Sequence, residues 1–486
     1  MEHIAIIGMG ISGSAVLTAY NKHSQNNKNS SFHIDCYDSE DSFGRGLPFR
    51  KDSDLVLLNT RSQDLGYDFE DLGDFDDWLT SNVYHDEATP EFSTRPLFGQ
   101  YLRESMLKLA KSMQANIIYS QITSINWNSE TNTWIITDAT GQSKEYDRVH
   151  LCCGSLPTHD PYQLSEFTNY IANPYPLDQL PSGIGKSQSA IVIGTNLTAI
   201  DVIKYLSQAI NMDTIYAFSR QNNFPVVGLK RPANLELSKL TLPNIESLIA
   251  KNYKQLSFEI LDELIEYEFN THNISLEIVN SIVQQSGTQG LRQSFVESDL
   301  MSKMEQIGTV TTRILIHLWQ YMPEADRARF EEKYHDAFTL TKGKIPLLSA
   351  EAIIDAEDNG QLHIVDDVSD IIYDEVNQQF IMVDKNKNEI VRADWVVNAT
   401  GLKDNLELET VNHPLLEDLL NKRYIATDTA GGISINADYL TVISPSWGEF
   451  SNLHAHGSLI SGAVYLTNST YTIQYLADML IEKLFT

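Results

Sequence analysis

The glycine pattern at residues 4–13, IAIIGMGISG, constrains the fold more than any other feature of the chain. The apolar run before the glycines suits a buried parallel strand, and SAVLTAY after them suits a helix. Gly8 permits a tight turn, Gly10 lets backbone approach a pyrophosphate, and Gly13 lets helix and strand pack closely. The helix N-terminus would attract the phosphates. The segment therefore predicts the opening of a dinucleotide-binding domain.

The following strand supports this interpretation. FHIDCYD ends at Asp38, and a carboxylate at this strand end can bond the ribose hydroxyls of a dinucleotide. Asp38 lies further from Gly8 than is usual, and the polar loop NKHSQNNKNSS accounts for the excess. The alternative is a glycine turn that holds no ligand, which the complete strand, turn and helix context disfavours.

A second, less regular copy of the pattern follows in AIVIGTNLTAIDVI. Gly194 takes the first glycine position, Asn196 the second, and Ala199 the third, where alanine is accepted. The next strand, TIYAFSR, ends at Ser219 and Arg220, and an arginine there can hold the 2′-phosphate of NADPH. The alternative for this arginine is a solvated surface charge. Two such units in one chain favour one site for FAD and one for NADPH.

Two further features organise the chain. The apolar strands DRVHLCCG and WVVNATG both close on a glycine, Gly154 and Gly401, the latter preceded by Thr400. Residues 236–345 instead have helical spacing and many charges, which predicts a helical insertion.

Net charge and cysteine content limit the kinds of partner and metal site that this chain is expected to have. A formal net charge of -30 disfavours nucleic acid and anionic membrane surfaces. Cys36, Cys152 and Cys153 form no CxxC pair, so neither a zinc site nor a dithiol relay is expected, and this low number suits a reducing cytoplasm. No apolar run has membrane-spanning length, and no signal peptide precedes the first strand. We expect a cytoplasmic protein with a small-molecule substrate and no metal site.

Several motifs, taken in order, resemble a known family. The chain resembles the FAD/NAD(P)-binding proteins related to flavin-dependent monooxygenases, including N-hydroxylating ones. The motifs that carry the resemblance span most of the chain outside the helical insertion: IAIIGMGISG, YDSEDSFGRGLPF, LLNT, DFDDWL, TRPLFGQYL, YIANPYPL, VIGTNLTAIDVI, AFSR and VVNATG.

The resemblance implies an α/β fold with two dinucleotide-binding, Rossmann-like domains of the two-nucleotide flavoprotein type and a helical insertion. Residues 1–160 and 390–486 would form the FAD-binding domain. Residues 170–235 and 346–390 would form the NAD(P)-binding domain, and residues 236–345 the insertion that covers the active site.

The resemblance also implies the cofactor-binding residues. The loop GRGLPF would pass beneath the flavin, Asn59 and Thr60 would face the isoalloxazine, and Ile122 would lie on the strand that meets the adenine. For each position the alternative is a turn or a packing role. The full set is Gly8, Gly10, Ile11, Ser12, Gly13, Asp38, Ser39, Gly44, Arg45, Gly46, Asn59, Thr60, Arg95, Tyr101, Ile122, Gly154, Gly194, Asn196, Thr198, Ser219, Arg220, Thr400, Gly401 and Gly457.

The implied function is an FAD-dependent, NADPH-using monooxygenase that inserts oxygen into a small nucleophile such as an amine through a peroxyflavin. His456, beside Gly457, is the candidate catalytic hydrogen-bond donor, and the alternative for it is a packed histidine. Two other functions stay open. One is a flavin reductase or dehydrogenase that passes electrons to another acceptor. The other is a non-catalytic FAD-binding protein with a degraded NADPH site, which Asn196 favours.

Overall fold

The computed structural model divides the chain into two compact units. Unit 1 comprises Met1–Lys51, Thr60–Pro157 and Leu402–Thr486, and unit 2 comprises Asp52–Asn59 and Thr158–Gly401. The structure describes residues 1–27, 32–85, 87–154, 158–252, 255–401, 413–428, 430–467 and 469–485.

The strands of the described residues, in chain order, are β1 (Glu2–Ile7), β2 (Phe32–Asp38), β3 (Asn116–Tyr119), β4 (Ile122–Asn128), β5 (Thr133–Asp138), β6 (Ser143–Tyr146), β7 (Arg148–Leu151), β8 (Tyr170–Ile171), β9 (Ser189–Ile193), β10 (Thr214–Phe218), β11 (Leu362–Ile364), β12 (Asp370–Asp374), β13 (Gln379–Val383), β14 (Glu389–Ala393), β15 (Trp395–Asn398), β16 (Ile435–Asn436), β17 (Thr441–Ser444) and β18 (Gly448–Ala455).

The α-helices of the same residues are α1 (Ile11–Asn26), α2 (Asp74–Leu79), α3 (Arg95–Met113), α4 (Leu197–Lys204), α5 (Leu242–Lys251), α6 (Phe258–His272), α7 (Leu276–Val283), α8 (Gln289–Val296), α9 (Ser298–Leu318), α10 (Glu324–Lys342), α11 (Leu347–Asp358), α12 (Pro414–Asn421) and α13 (Thr470–Leu484).

Unit 1 is built on a seven-stranded sheet in the order β16-β17-β18-β7-β1-β2-β3. The strands from β18 to β3 are parallel, and β17 and β16 continue the sheet antiparallel at one edge. Apolar residues on β1, such as Ile4 and Ile6, are fully buried against residues of α1 and α13 such as Val16 and Ile481. A parallel sheet buried in this way requires near-continuous apolar strands, which is what IAII supplies. Strands β4, β5 and β6 form a separate antiparallel sheet.

Unit 2 repeats this plan. Strands β11-β10-β9-β15-β8 form a parallel sheet, and β12, β13 and β14 form a three-stranded antiparallel sheet. Its core joins β9 and β10 to α4 and α11 through residues such as Val192, Ile203, Ile215 and Ile353. Helices α5 to α10 follow β10 along the chain.

The fold class predicted from the sequence is confirmed, because each unit contains a parallel strand, a glycine turn and a helix in succession. Helices α5 to α10 occupy the segment predicted as a helical insertion. The assignment of residues 390–401 to the first nucleotide domain is corrected. Strand β15 pairs in parallel with β9, so this segment belongs to the sheet of unit 2.

Candidate functional site

The first glycine turn, after β1, has a backbone that only glycine accepts. Gly8 has a φ of +91°, and its N–H donates to the Tyr37 carbonyl at 2.8 Å. A Cβ on Gly8 would lie 2.6 Å from the Cys152 carbonyl oxygen. A Cβ on Gly13 would overlap the Gly8 carbonyl outright. Glycine at these two positions therefore holds α1 directly against the end of the sheet.

Gly10 leaves the start of α1 open to a ligand. It is the N-cap residue, and no side chain caps the helix. The first N–H groups of an α-helix have no partner within the helix, and they face an anion favourably. Gly10 has an ordinary φ of -70°, so space rather than backbone freedom requires glycine here. A Cβ would lie 3.2 Å from the Cα of Gly46, which brings the predicted GRGLPF loop against the turn.

Asp38 stands at the end of β2, beside this turn. Its Oδ2 accepts from the Met9 N–H at 2.6 Å, and its Oδ1 accepts from the Ser39 N–H at 2.6 Å and from the Ser42 hydroxyl. These bonds hold the carboxylate at the turn. Its remaining acceptor positions are available to ribose hydroxyls.

Two chain segments, at the ends of β7 and β18, complete the surroundings of the turn. Ser458 Oγ donates to the Gly154 carbonyl at 2.6 Å, and a Cβ on Gly154 would lie 2.5 Å from that Oγ. Gly457 has a φ of +67°, and a Cβ there would collide with Ser12 Oγ. We call Gly8, Gly10, Ser12, Gly46, Gly154 and Gly457 the first cradle. Sequence analysis missed Ser458, because a single serine after glycine carries no recognisable pattern.

The other predicted residues of unit 1 lie in several settings. Arg45 is tied to Asp41 by an ion pair of 2.5 Å, and Gly44 packs with its Cα side against α3. Ile122 begins β4 and is buried, Arg95 begins α3, and Thr60 is half-buried. Their roles stay predictions, as do those of Ile11 and Asn59, the latter grouped with unit 2.

The prediction that Tyr101 contacts a cofactor is corrected. Its side chain is 1% exposed and packs among Phe75, Trp78 and Phe98. Its hydroxyl donates to Asp74 Oδ2 at 2.5 Å and accepts from the Tyr67 N–H at 2.9 Å. Both hydrogen-bonding functions of the hydroxyl are thus used inside the core, and Tyr101 is a structural residue.

The second glycine turn, after β9, reproduces the first one residue by residue. Gly194 has a φ of +125°, its N–H donates to the Phe218 carbonyl at 2.7 Å, and its Cβ would lie 2.9 Å from the Ala399 carbonyl oxygen. Gly8, Tyr37 and Cys152 therefore correspond to Gly194, Phe218 and Ala399. By the same offsets Ser12 corresponds to Thr198, Asp38 to Ser219, and Gly154 to Gly401.

Asn196 is the main difference between the two turns. It is the N-cap residue of α4, with a φ of -93°, close to that of Gly10. The backbone therefore needs no glycine at this position. The side chain, however, caps the helix, because its Oδ1 accepts from the Leu197 N–H at 2.8 Å. One donor that would face a phosphate at the first turn is thus already occupied at the second.

Ser219 and Arg220 also differ from their counterparts in unit 1. Ser219 places a neutral hydroxyl where Asp38 places a carboxylate, and this hydroxyl lies 2.8 Å from that of Thr195. Asn222 fixes the loop, because its Oδ1 accepts from the Ser219 N–H at 2.6 Å and its Nδ2 donates to Asp366 at 2.7 Å. Arg220 is exposed. Sequence analysis missed Asn222, although an asparagine four residues after a strand end is a turn signal.

Thr400 and Gly401 follow β15, the strand that closes the second turn. The Thr400 hydroxyl donates to Asn398 Oδ1 at 2.8 Å. Gly401 has a φ of +89°, and no atom of the described residues lies within 4 Å of its Cβ position, so its backbone favours glycine. We call Gly194, Asn196, Thr198, Ser219 and Gly401 the second cradle.

His456 is buried in unit 1 at the end of β18. It is 2% exposed, and its Nε2 shares a hydrogen bond of 3.0 Å with His150 Nδ1. Burial lowers the pKa of His456 to about 3, so the ring is neutral near pH 7. His454, two residues earlier, stacks on His150 and likewise has its pKa lowered by burial to about 3. His150 escaped sequence analysis, because only sheet pairing places it beside β18.

His454 and His456 have the HxH spacing that metal sites use. Across the described ranges, no group of three or more His, Cys, Asp or Glu is placed so that it could hold an ion. Within those ranges, too, every helix is too short or too polar to cross a lipid bilayer.

Comparison with known proteins supports the nucleotide-binding interpretation of unit 1. A family model described as FAD-NAD(P)-binding matches residues 5–156, which contain the first turn, Asp38 and Gly154. A comparison with curated proteins finds no match.

The whole chain is similar in fold to several solved structures. L-lysine 6-monooxygenase from Pseudomonas syringae is 14% identical with a TM-score of 0.57, covering 99% of this chain and 98% of that one. Ornithine hydroxylase from Pseudomonas aeruginosa is 12% identical with a TM-score of 0.56, covering 100% and 98%. A cadaverine monooxygenase bound to FAD, from Erwinia amylovora, is 11% identical with a TM-score of 0.53, covering 99% and 93%. The predicted resemblance to N-hydroxylating flavin monooxygenases is therefore confirmed for the fold.

Proposed function

We propose that this chain is an FAD-dependent, NADPH-using monooxygenase that inserts oxygen into a small amine. The observation that carries the proposal is the pair of matched glycine turns with different strand ends. The first turn has a carboxylate, Asp38, at the position that meets ribose, and the second has Ser219 followed by Arg220. A carboxylate suits free ribose hydroxyls, whereas a neutral residue and an arginine suit a 2′-phosphate. One chain thus carries two sites for two different dinucleotides.

The first cradle fits FAD. A Cβ on Gly8, Gly10 or Gly457 would collide with neighbouring protein atoms, so these glycines let the segments around the turn pack closely, and the start of α1 is uncapped. The N–H groups of this helix end would bind the pyrophosphate, and Asp38 would orient the adenosine ribose. Bound FAD would supply the redox chemistry, accepting a hydride and activating dioxygen.

The second cradle fits NADPH, although one of its helix N–H groups already has a side-chain partner. Gly194 and Ala199 allow the same close packing of helix and strand, and Arg220 supplies a charge for the 2′-phosphate. Asn196 occupies one helix N–H, so the pyrophosphate would bind fewer donors here than at the first turn. We expect a weaker, more readily exchanged dinucleotide, as suits a cofactor that leaves after each turnover.

The amine substrate is proposed from the solved neighbours. Those neighbours are an ornithine hydroxylase, a lysine 6-monooxygenase and a cadaverine monooxygenase. The net charge of -30 is consistent with small cationic substrates rather than nucleic acid. The low cysteine count supports a cytoplasmic location.

Asn196 also favours a second candidate function. If its side chain prevents NADPH from binding, the protein is an FAD-binding protein without turnover of its own. The two functions are distinguished by whether an amine increases the consumption of NADPH.

The proposed function is tested by supplying FAD, NADPH and oxygen with a panel of amines that includes ornithine, lysine, cadaverine and putrescine. We expect at least one amine to accelerate NADPH oxidation and to yield a hydroxylamine in proportion. NADPH oxidation that no amine changes, with hydrogen peroxide as the product, would identify a reductase instead. No NADPH oxidation at all would identify the non-catalytic protein.

Replacing Asn196 with glycine should strengthen NADPH binding. The substitution frees the Leu197 N–H. It also removes a side chain from the N-cap position of α4, where the first turn has Gly10. We expect the dissociation constant for NADPH to fall about threefold to tenfold, equivalent to about 0.7–1.4 kcal/mol. Isothermal titration measures it, and an unchanged or larger constant would contradict the account. FAD affinity in the same variant serves as the control.

Replacing Arg220 with alanine should remove the preference for NADPH over NADH. We expect KM for NADPH to rise about tenfold to a hundredfold, because charge-assisted bonds to phosphate contribute about 1.5–3 kcal/mol. KM for NADH should stay within twofold. Arg329→Ala, at another exposed arginine of unit 2, is the matched control and should change neither constant. Equal effects on both cofactors would assign Arg220 a structural role.

A further inference from the structure

A chain of three buried polar side chains runs through unit 1. The Tyr20 hydroxyl, on α1, lies 3.0 Å from His150 Nε2, on β7. His150 Nδ1 lies 3.0 Å from His456 Nε2, at the end of β18. All three side chains are at most 2% exposed. Within the described residues, the Tyr20 hydroxyl and His456 Nδ1 make no other hydrogen bond.

The direction of these hydrogen bonds follows from counting protons. Burial keeps both rings neutral, so each imidazole has one N–H donor and one acceptor nitrogen. If Tyr20 donates, His150 donates from Nδ1 to His456 Nε2, and His456 carries its proton on Nδ1. In the opposite direction, Tyr20 accepts, so both its own O–H and the acceptor nitrogen His456 Nδ1 lack a protein partner. The first direction leaves only His456 Nδ1–H unpartnered, and each unpaired buried group costs about 1–3 kcal/mol, so the first direction is favoured.

With this direction, His456 Nδ1–H is the one donor among these three side chains that has no protein partner. His456 directly precedes Gly457, whose Cα packs against Ser12 in the first turn of α1. The ring is only 2% exposed, so a ligand held at the neighbouring Gly457 is the group best placed to accept from this donor.

We propose that His456 donates a hydrogen bond from Nδ1 to the pyrophosphate of a dinucleotide in the first cradle, with Tyr20 and His150 as positioning residues that fix this tautomer. The inference rests on the FAD site of the proposed function. His456 then acts as a neutral hydrogen-bond donor rather than as an acid or base. His454 supports the arrangement by stacking on His150 with a ring-centroid distance of 5.0 Å.

Two substitutions of His456 separate the donor from the link to His150. Asparagine places an amide N–H two bonds from Cβ, as Nδ1 is, but cannot reach His150. Glutamine places its amide three bonds from Cβ, as Nε2 is, and keeps the link without the donor. FAD and ADP-ribose, which has the pyrophosphate but no flavin, are titrated into the full-length chain.

We expect His456→Asn to bind both ligands within threefold of the wild type and His456→Gln to bind both at least tenfold more weakly. The reverse order, equal affinities, or a loss confined to FAD would overturn the proposal. If the wild type binds neither FAD nor ADP-ribose, the proposed function fails instead.

The tautomer is tested without substituting His456. NMR of the full-length chain with ¹⁵N-labelled histidines distinguishes the two neutral tautomers of each ring. We expect His456 and His150 to be protonated on Nδ1 in the wild type. In Tyr20→Phe, which removes the terminal donor, His456 should shift toward Nε2–H, with correspondingly weaker FAD binding. A wild-type His456 protonated on Nε2 overturns the inference even when FAD binds.

Discussion

Replacing Ser12 with aspartate should weaken FAD binding at least a hundredfold, about 2.7 kcal/mol, while leaving the fold intact. Ser12 lies in the first turn of α1, beside Gly457 and at the helix end where the pyrophosphate would bind. A carboxylate there would repel phosphate charge in a half-buried setting. The same carboxylate interacts favourably with the helix dipole by about 0.3–1 kcal/mol, so stability should not fall. FAD affinity should therefore fall while the stability of the fold stays the same or rises.

Two matched variants make this result specific. Ser12→Asn has nearly the size of aspartate without its charge, so the difference between the two isolates the electrostatic effect. Thr198→Asp introduces the same charge at the corresponding residue of the second cradle. It should leave FAD affinity unchanged and abolish flavin reduction by NADPH. FAD titration of Ser12→Asp that matches Ser12→Asn would show that no anion binds at this helix end.

Acidification from pH 7 to pH 5.5 should lower the free energy of unfolding by roughly 1 kcal/mol for each of three buried histidines of unit 1. Burial lowers the pKa of His150, and it lowers those of His454 and His456 to about 3. Unfolded histidines titrate near 6.5, so below that pH the unfolded state binds protons that the folded state excludes. The stabilising contribution is complete above about pH 6.5 and is lost progressively toward pH 3.

The positive charge of Arg148 also lowers the pKa values of His150 and His454. Arg148 donates to His454 Nε2 at 2.8 Å, and its positive charge further disfavours protonation of the stacked rings. Glu2 is bonded to Arg148 rather than to a histidine. Urea titrations at pH 7 and pH 5.5 measure the change. His454→Gln should reduce the pH dependence by about a third, even though it lowers stability at both pH values.

A control histidine in unit 2 behaves differently. Glu331 raises the pKa of His335 through a hydrogen bond, so His335→Gln should leave the loss below pH 6.5 intact or slightly larger. A stability that does not change between pH 7 and pH 5.5 would mean that the three buried rings are protonated in the folded protein.

Local patterns allowed the two nucleotide turns to be predicted from the sequence. Gly8 and Gly194 both have positive φ values, which short-range backbone geometry imposes on a strand-to-helix turn. The same logic identified Asp38 and Ser219, because each lies at the end of a strand that pairs with the first strand of its turn.

Contacts between distant parts of the chain could not be predicted in this way. His150 and His456 are separated by 306 positions and meet only because β7 and β18 are neighbours in the sheet. Tyr101 has a hydroxyl group like that of a ligand-binding tyrosine, and only the packing of α3 places this hydroxyl against Asp74. Strand β15 follows β14 after one residue, yet the two pair in different sheets, which the sequence pattern does not reveal.

The central claim, that one chain binds FAD and lets NADPH reduce it, is tested most directly by anaerobic titration. The protein is loaded with FAD, freed of excess cofactor, and titrated with NADPH while the flavin absorption band is recorded. The account predicts bound FAD and bleaching that approaches completion near one equivalent of NADPH, with Asn196→Gly reduced at lower concentrations. Bound FAD that NADPH leaves oxidised in both proteins would contradict it, and so would a chain that retains no FAD.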